Sequence, residues 1–272
     1  MSHPLTHTVA QINERVAWAS ITTGQPSTGE WALCSQAGPD FIAEWEGRVT
    51  HMLRRDFHRH HPMASAAYVL DWYASLSGCI GGMSFGLARR VPRLDRHSLA
   101  FHRHSEHAYP DGIALLSPRF WCLPSDPDAT HHEADVVSTE RDLARILRTE
   151  IRRHADDFLT DYRGGARLPR RHLLGVFFDS LDTGMAMQTG AEPARILAGA
   201  KSVLPGGTRE FGDASTITVV HDSKQRAHLT RKRISCCYYF KVADGGVTCA
   251  TCPRTSDEQR LDRLERFANQ QD

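Results

Sequence analysis

Residues 63–88 read MASAAYVLDWYASLSGCIGGMSFGLA, and the reading of this stretch decides the fold. Apolar residues occupy most positions rather than one stripe, which predicts a central helix contacted on several sides. Asp71 interrupts the run, and small residues outnumber Leu and Ile, so a membrane span is not expected. Gly78, Gly81, Gly82 and Gly86 lack the spacing and flanking elements of the dinucleotide fingerprint, leaving close helix packing or a kink as their reading. A Gly-Lys-Ser/Thr phosphate loop is also missing from the sequence.

Upstream, Val9, Ile12, Val16 and Ala19 recur at three-to-four spacing and predict a first helix ending near a turn at residues 24–29. Pro39-Asp40 opens a second, with Phe41, Ile42, Trp45, Val49, Met52 and Leu53 on one stripe and a stop at residues 58–62. Pro62 suits the first turn of the central helix. Downstream, Leu99 and Phe101, then an apolar run over 113–123 broken by Pro118, predict two short strands or a hairpin. Thr139 with Asp142 resembles a capping box ahead of the stripe Leu143, Ile146, Leu147, Ile151, His154 and Phe158. Helices are expected over 173–187 and 191–203.

The character then changes. Residues 215–221 and 234–242 are β-branched and aromatic and are expected to pair as a hairpin, with a turn at Gly245-Gly246 and a closing helix over 255–269 that places Leu261, Leu264 and Phe267 on one face. The expected fold class is α+β and predominantly helical. It divides into a mainly helical region over 1–210 and a hairpin with a cysteine turn and short helix over 211–272, or forms one integrated domain.

Composition bounds the function. The chain has 272 residues, 40% of them hydrophobic and 24% charged, which suits a globular protein with a sizeable core. Lys plus Arg number 33 against 32 Asp plus Glu, so no global basic field favours nucleic acid as a partner. Residues 1–10 lack the cationic start and apolar run of a signal peptide, which points to a reducing cytoplasm and against disulfides.

Three of the seven cysteines, Cys34, Cys79 and Cys122, lie among apolar neighbours and read as buried small hydrophobes. The other four crowd near the C-terminus as Cys236-Cys237, eleven intervening residues, then Cys249-Ala250-Thr251-Cys252. A Cys-x-x-Cys turn directs two thiolates at one metal, and its amides can hydrogen-bond the sulfurs. Adjacent residues of an extended strand point to opposite faces, so Cys236 and Cys237 converge only where a bulge or turn bends the backbone. Structural zinc usually takes ligands two to four residues apart, and the vicinal pair counts against it. The residues alone leave the ligand of these thiols open.

At these residues the sequence resembles the FhuF-type ferric-siderophore reductases, bacterial cytoplasmic proteins with a C-terminal 2Fe-2S cluster. Arg231 and Arg233 before the vicinal cysteines, Tyr238 and Tyr239 after them, and Cys-Pro-Arg-Thr over 252–255 also look like this family. A more diffuse likeness covers residues 63–74, the Arg89-Arg90-Val91-Pro92 stretch and residues 114–120. The spacer of eleven, where ten is expected, touches loop geometry rather than ligand count. The resemblance implies that Cys236, Cys237, Cys249 and Cys252 bind the cluster and that the chain reduces ferric siderophores by one electron at a time. It names no catalytic residue beyond the cluster. The alternative is a zinc-stabilised protein that binds an iron chelate or a protein partner without redox activity.

Lys224, Arg226, Arg231, Lys232, Arg233 and Lys241 fall between residues 223 and 241 with no acid among them, a basic neighbourhood that would raise a cluster's potential and steer an acidic donor or an anionic chelate. With no nucleotide or flavin motif, electrons are expected from a separate donor such as a ferredoxin or a flavoprotein. Trp72, Tyr73, Phe120 and Trp121 are conceivable walls of a chelate pocket, with core packing the blander role. The histidine groups 58, 60 and 61; 102, 104 and 107; and 131 and 132 with Glu133 match no standard zinc-enzyme spacing and read as loop histidines.

Overall fold

A computed structural model describes residues 3–26, 29–188 and 190–270. Residues 1–2 of the N-terminal stretch and 27–28 of the first expected turn lie outside them. Helix α1 (Pro4–Asn13) ends earlier than its apolar spacing predicts, because the Asn13 side chain exchanges two 2.8 Å hydrogen bonds with the backbone of Ile21 and draws the chain into β1 (Ser20–Thr23). Val16 and Ala19 are buried in the intervening turn rather than on the helix. After β2 (Trp31–Leu33), α2 (Pro39–Phe57) starts at its proline and stops where His58 adopts φ 54°. Helix α3 (Pro62–Ala88) follows with proline in its first turn.

Strands β3 (Val91–Pro92), β4 (Leu99–Arg103), β5 (Pro110–Leu115), β6 (Phe120–Cys122) and β7 (Ala134–Val136) complete two small sheets. One has the order β1-β5-β4-β2, with β4 and β5 as the expected antiparallel hairpin and β1 parallel to β5; the other has the order β3-β6-β7. Thr139 caps α4 (Glu140–Asp161), its hydroxyl accepting from the Asp142 amide at 3.1 Å. Helices α5 (Arg170–Ala186) and α6 (Pro193–Val203) lead to the hairpin β8 (Thr218–His221) and β9 (Ala227–Thr230), and α7 (Asp257–Asn269) closes the chain. The fold is α+β and mostly helical, with seven α-helices among the described residues. None of these helices is long and apolar enough to cross a membrane.

The glycines of α3 explain its place. A Cβ on Gly78 would meet the Leu181 amide nitrogen at 2.9 Å, and one on Gly82 the Leu181 carbonyl at 2.8 Å. Gly184 of α5 answers from the other side, where a Cβ would lie 2.3 Å from the Cys79 carbonyl oxygen. The two helix backbones therefore touch, as the close-packing reading expects, and Tyr73, Leu76, Phe177 and Leu181 fill the flanking core.

The hairpin differs from expectation in its second strand. β8 pairs with residues 227–230, not with 234–242. Asp179 of α5 takes the amides of Ile234 (3.0 Å) and Ser235 (2.8 Å) that a neighbouring strand would need, and Tyr238 turns the chain with φ 55° into a 3-10 turn at Tyr239–Lys241. A buried acid overrides the β-propensity of the segment. The expected apolar face of the last helix also changes: Phe267 is 61% exposed, and α7 uses its arginines instead.

Candidate metal centre

The four C-terminal cysteines lie in an irregular loop that follows the hairpin, with Cys252 buried and the other three half-buried. The backbone bends at the left-handed residue Tyr238, directly after Cys237. Its amide donates to Cys236 Sγ at 3.4 Å, and the Arg254 amide donates to Cys252 Sγ at the same distance. Cys237 and Cys249 bring their sulfurs to 3.5 Å. Sharing a proton with Cys249, with help from the Tyr239 amide and Arg233, lowers the Cys237 thiol against the cost of its burial. Cys249 is correspondingly pushed up.

Charged anchors hold this loop on the helical body. Arg233 is buried and donates to both oxygens of Asp71, at 3.0 and 2.5 Å, so the acid that interrupts the apolar run of α3 is an ion-pair partner for the cysteine segment. Burial works against the Arg233 charge, but Asp71 and Asp179 more than offset it and hold the guanidinium protonated. The Arg233 amide also bonds the Thr251 carbonyl at 2.9 Å, joining the two halves of the cysteine motif. Asp179 is fully buried and accepts from the Ser235 hydroxyl as well as its amide. One turn on, buried Asp182 accepts from the hydroxyls of Ser215 (2.6 Å) and Thr216 (2.7 Å).

From the other side, Arg263 of α7 donates to the carbonyls of Thr248 (2.9 Å) and Cys249 (3.2 Å), and Arg260 reaches the Cys252 carbonyl at 3.4 Å. Asp179, Asp182, Arg260 and Arg263 are absent from the sequence-based site. The available signal was two acids, three residues apart, inside the otherwise apolar run 173–187. Of the expected basic stretch, Arg231 and Arg233 are buried against acids and Arg226 pairs with Asp222 at 2.6 Å, whereas Lys232 and Lys241 are exposed. The field around the cysteines is less positive than the linear count suggests.

The remaining sequence candidates separate. Cys34, Cys79 and Cys122 are buried, and burial raises the Cys79 thiol to about 12 and that of Cys122 to about 11. Trp72 lines a cleft beside the cysteine loop, while Tyr73 and Phe120 are fully buried and Trp121 stacks under Arg93 on another sheet. His61 caps α3, His104 stacks on Tyr109 with centroids 5.0 Å apart, and His102 pairs with Asp111 at 2.5 Å. His131 and Glu133 meet His3, forming the one group of three possible ligands mutually within 4.8 Å among the described residues. His3 Nδ1 accepts from the Leu5 amide at 3.1 Å, which leaves Nε2 as the protonated nitrogen that donates to Glu133. This trio is thereby satisfied as a helix cap and a side-chain hydrogen bond.

The cysteine sulfurs can be set against what each metal requires. One tetrahedral zinc with bonds of about 2.3 Å would hold every pair of sulfurs about 3.8 Å apart. Here one pair is that close, yet no three of the sulfurs lie mutually within 4.8 Å. A two-iron cluster takes two thiolates on each iron and so calls for two close pairs, of which Cys237 and Cys249 form one. The four cysteines offer soft thiols, and two of them receive backbone N–H bonds, a chemistry that fits such a cluster.

No curated protein matches the chain. Residues 233–254 match the family model of the FhuF 2Fe-2S C-terminal domain, from the buried Arg233 to the Arg254 amide donor. The chain thus carries, in the loop anchored by Asp71 and Asp179, a FhuF-type 2Fe-2S C-terminal domain, whose cofactor is a 2Fe-2S cluster.

Proposed function

We propose that the chain is a ferric-siderophore reductase of the bacterial cytoplasm, with Cys236, Cys237, Cys249 and Cys252 as the cluster ligands. The observation that carries this reading is the gathering of four thiols into one partly exposed, hydrogen-bonded loop within the matched segment. When bound, the cluster supplies one-electron transfer. The Tyr238 and Arg254 amides offset thiolate charge, and buried Arg233 sets a fixed positive charge beside Cys237 that stabilises an added electron. Half-burial leaves one side of the loop open to a partner.

The substrate is ferric iron held by the oxygen donors of a siderophore. One electron from a separate donor, a ferredoxin or a flavoprotein, converts Fe³⁺ to Fe²⁺, which hard oxygen ligands hold more weakly, and the freed chelator takes protons from water. Exposed Lys232, Lys241 and Arg254 suit an acidic donor surface. The helical region over 1–210 holds the chelate.

The test is anaerobic purification with iron and sulfide analysis and a visible spectrum, repeated on Cys249→Ser, followed by ferrous-ion release from ferric siderophores with a reduced donor. Two irons per chain, a spectrum bleached by dithionite and altered by the substitution, and release by the wild type alone are expected. A colourless protein that holds zinc and resists iron-sulfide reconstitution would overturn the reading.

A further inference from the structure

The turn that follows the vicinal cysteines rests against the end of α2. Tyr239 and Phe57 meet edge to face with ring centroids 5.7 Å apart, which brings two stretches remote in sequence to one edge of the cysteine loop. Two residues beyond this contact on either side stand Arg59 and Lys241, both exposed. Arg54, in the last turn of α2, donates to the His60 ring at 3.4 Å. Arg254 lays its guanidinium over the half-buried Phe240 ring, 4.4 Å from the centroid, and the Lys241 ammonium lies 5.5 Å from the same centroid.

Among the described residues, Arg54, Arg59, Lys232, Lys241 and Arg254 pair with no carboxylate, for the neighbouring acids are taken. Asp56 is held by Arg55 at 2.5 Å, Asp71 by Arg233 at 3.0 Å and Asp257 by Arg260 at 2.7 Å. Asp244 and Glu258 are left exposed in the same stretches, so the cations outnumber the free acids. The hollow lined by Trp31, Phe41 and Arg103 differs in this respect: Arg103 is held by Glu44 at 2.5 Å, and Arg48 donates to the carbonyls of His104 and Ser105. Exposed cations left uncompensated around a site raise its potential and draw in a partner of opposite charge. A small chelate calls for donors converging on one point, whereas these are spread along two chain segments around an aromatic centre, the layout of a protein contact.

Resting on the reductase reading, we propose that the end of α2 and the cysteine turn together form the docking face for the electron donor, an acidic one-electron redox protein whose carboxylates meet Arg54, Arg59, Lys241 and Arg254 around Phe240. The half contributed by α2 lies outside the matched segment 233–254 and outside the basic run between residues 223 and 241. One electron passes from the donor's reduced centre to the oxidised cluster, so the donor is oxidised, the cluster is reduced, and no bond forms or breaks.

An acidic plant-type 2Fe-2S ferredoxin serves as the probe. Reduction of the cluster-loaded protein by reduced ferredoxin, followed by stopped flow at low salt, is compared with reduction by photoreduced deazaflavin, a small neutral donor that needs no docking face. Arg59→Glu and Lys241→Glu are each expected to slow the ferredoxin reaction about tenfold. Added salt should slow the wild type most and the variants least. Iron content, visible spectrum and deazaflavin rate should stay unchanged. Calorimetric binding of oxidised ferredoxin, which involves no electron transfer, is expected to weaken in both variants. A wild type that ferredoxin neither binds nor reduces, a wild-type ferredoxin rate in Arg59→Glu, or equal slowing with deazaflavin would overturn the face. Slower ferric-chelate reduction in the variants with an unchanged ferredoxin rate would also overturn it and give the rim to the chelate. Ferrous release by the deazaflavin-reduced wild type, with the ferredoxin rate indifferent to Arg59→Glu, would overturn the face and leave the reductase reading standing. Arg59-dependent reduction by ferredoxin with no ferrous release from any ferric siderophore would do the reverse.

Discussion

Where α3 crosses α5, three glycines bring two backbones into contact, and the surrounding side chains are apolar and fully buried. The segment 231–255 lies against the same two helices but contributes only Val242, Ala243 and Cys252 as buried hydrophobic residues. Its hold comes from Asp71, Asp179, Arg260 and Arg263, each satisfying named backbone or side-chain groups. Packing resists deformation everywhere at once, whereas hydrogen bonds fix particular atoms. A loop with one side open has little apolar surface to bury, so specific polar anchors do the positioning.

Removing one anchor should break that comparison most sharply. Asp179→Ala strips the acceptor from Ile234 and Ser235 and leaves Arg231 and Arg233 buried with fewer partners, a loss of about 3–5 kcal/mol. Iron content is expected to collapse while the far-ultraviolet helical signal persists; a stable variant with full iron would show that the acid anchors nothing. Gly184→Val attacks the other region. Its side chain meets the Cys79 carbonyl, and overpacking of this kind lowers global stability by about 3 kcal/mol, seen as a lower melting temperature with unchanged iron per folded molecule.

A pH titration sharpens the contrast within the packed body. His154 is fully buried, with Nδ1 donating to the Leu94 carbonyl at 2.7 Å and Nε2 facing the Tyr73 hydroxyl at 3.1 Å. Burial pulls its pKa down to about 4, with Arg96 and Arg153 acting in the same direction and Asp95 against them. The unfolded chain takes its proton first, so this contribution to stability is complete above about pH 6.5 and falls by about 2–3 kcal/mol toward pH 4. Denaturant titrations across that range should show the loss in the wild type and a flatter profile in His154→Gln. The smallest effect is expected from Arg263→Ala, about 1 kcal/mol, confined to faster amide exchange around residues 248–252 with little change in melting temperature.

The helices α2 to α6 were legible because their signals are local. Apolar period, a proline in the first turn and the Thr139 cap lie within a few residues of the structure they specify. The errors fall where a distant group intervenes. Asn13 ended α1 by bonding Ile21, and Asp179 denied residues 234–242 their strand by taking two of their amides. Asp71 was visible as an oddity in an apolar run, but its partner Arg233 lies 162 residues away.

The sequence alone determined the mostly helical α+β class, the helix-packing role of the glycines and the identity of the four clustered cysteines, since periodicity and motif spacing are properties of short stretches. Only the tertiary structure decided how those cysteines are held and which acids neutralise the arginines before them. Those features depend on pairings between helices far apart in the chain, for which no neighbouring residue carries a signal.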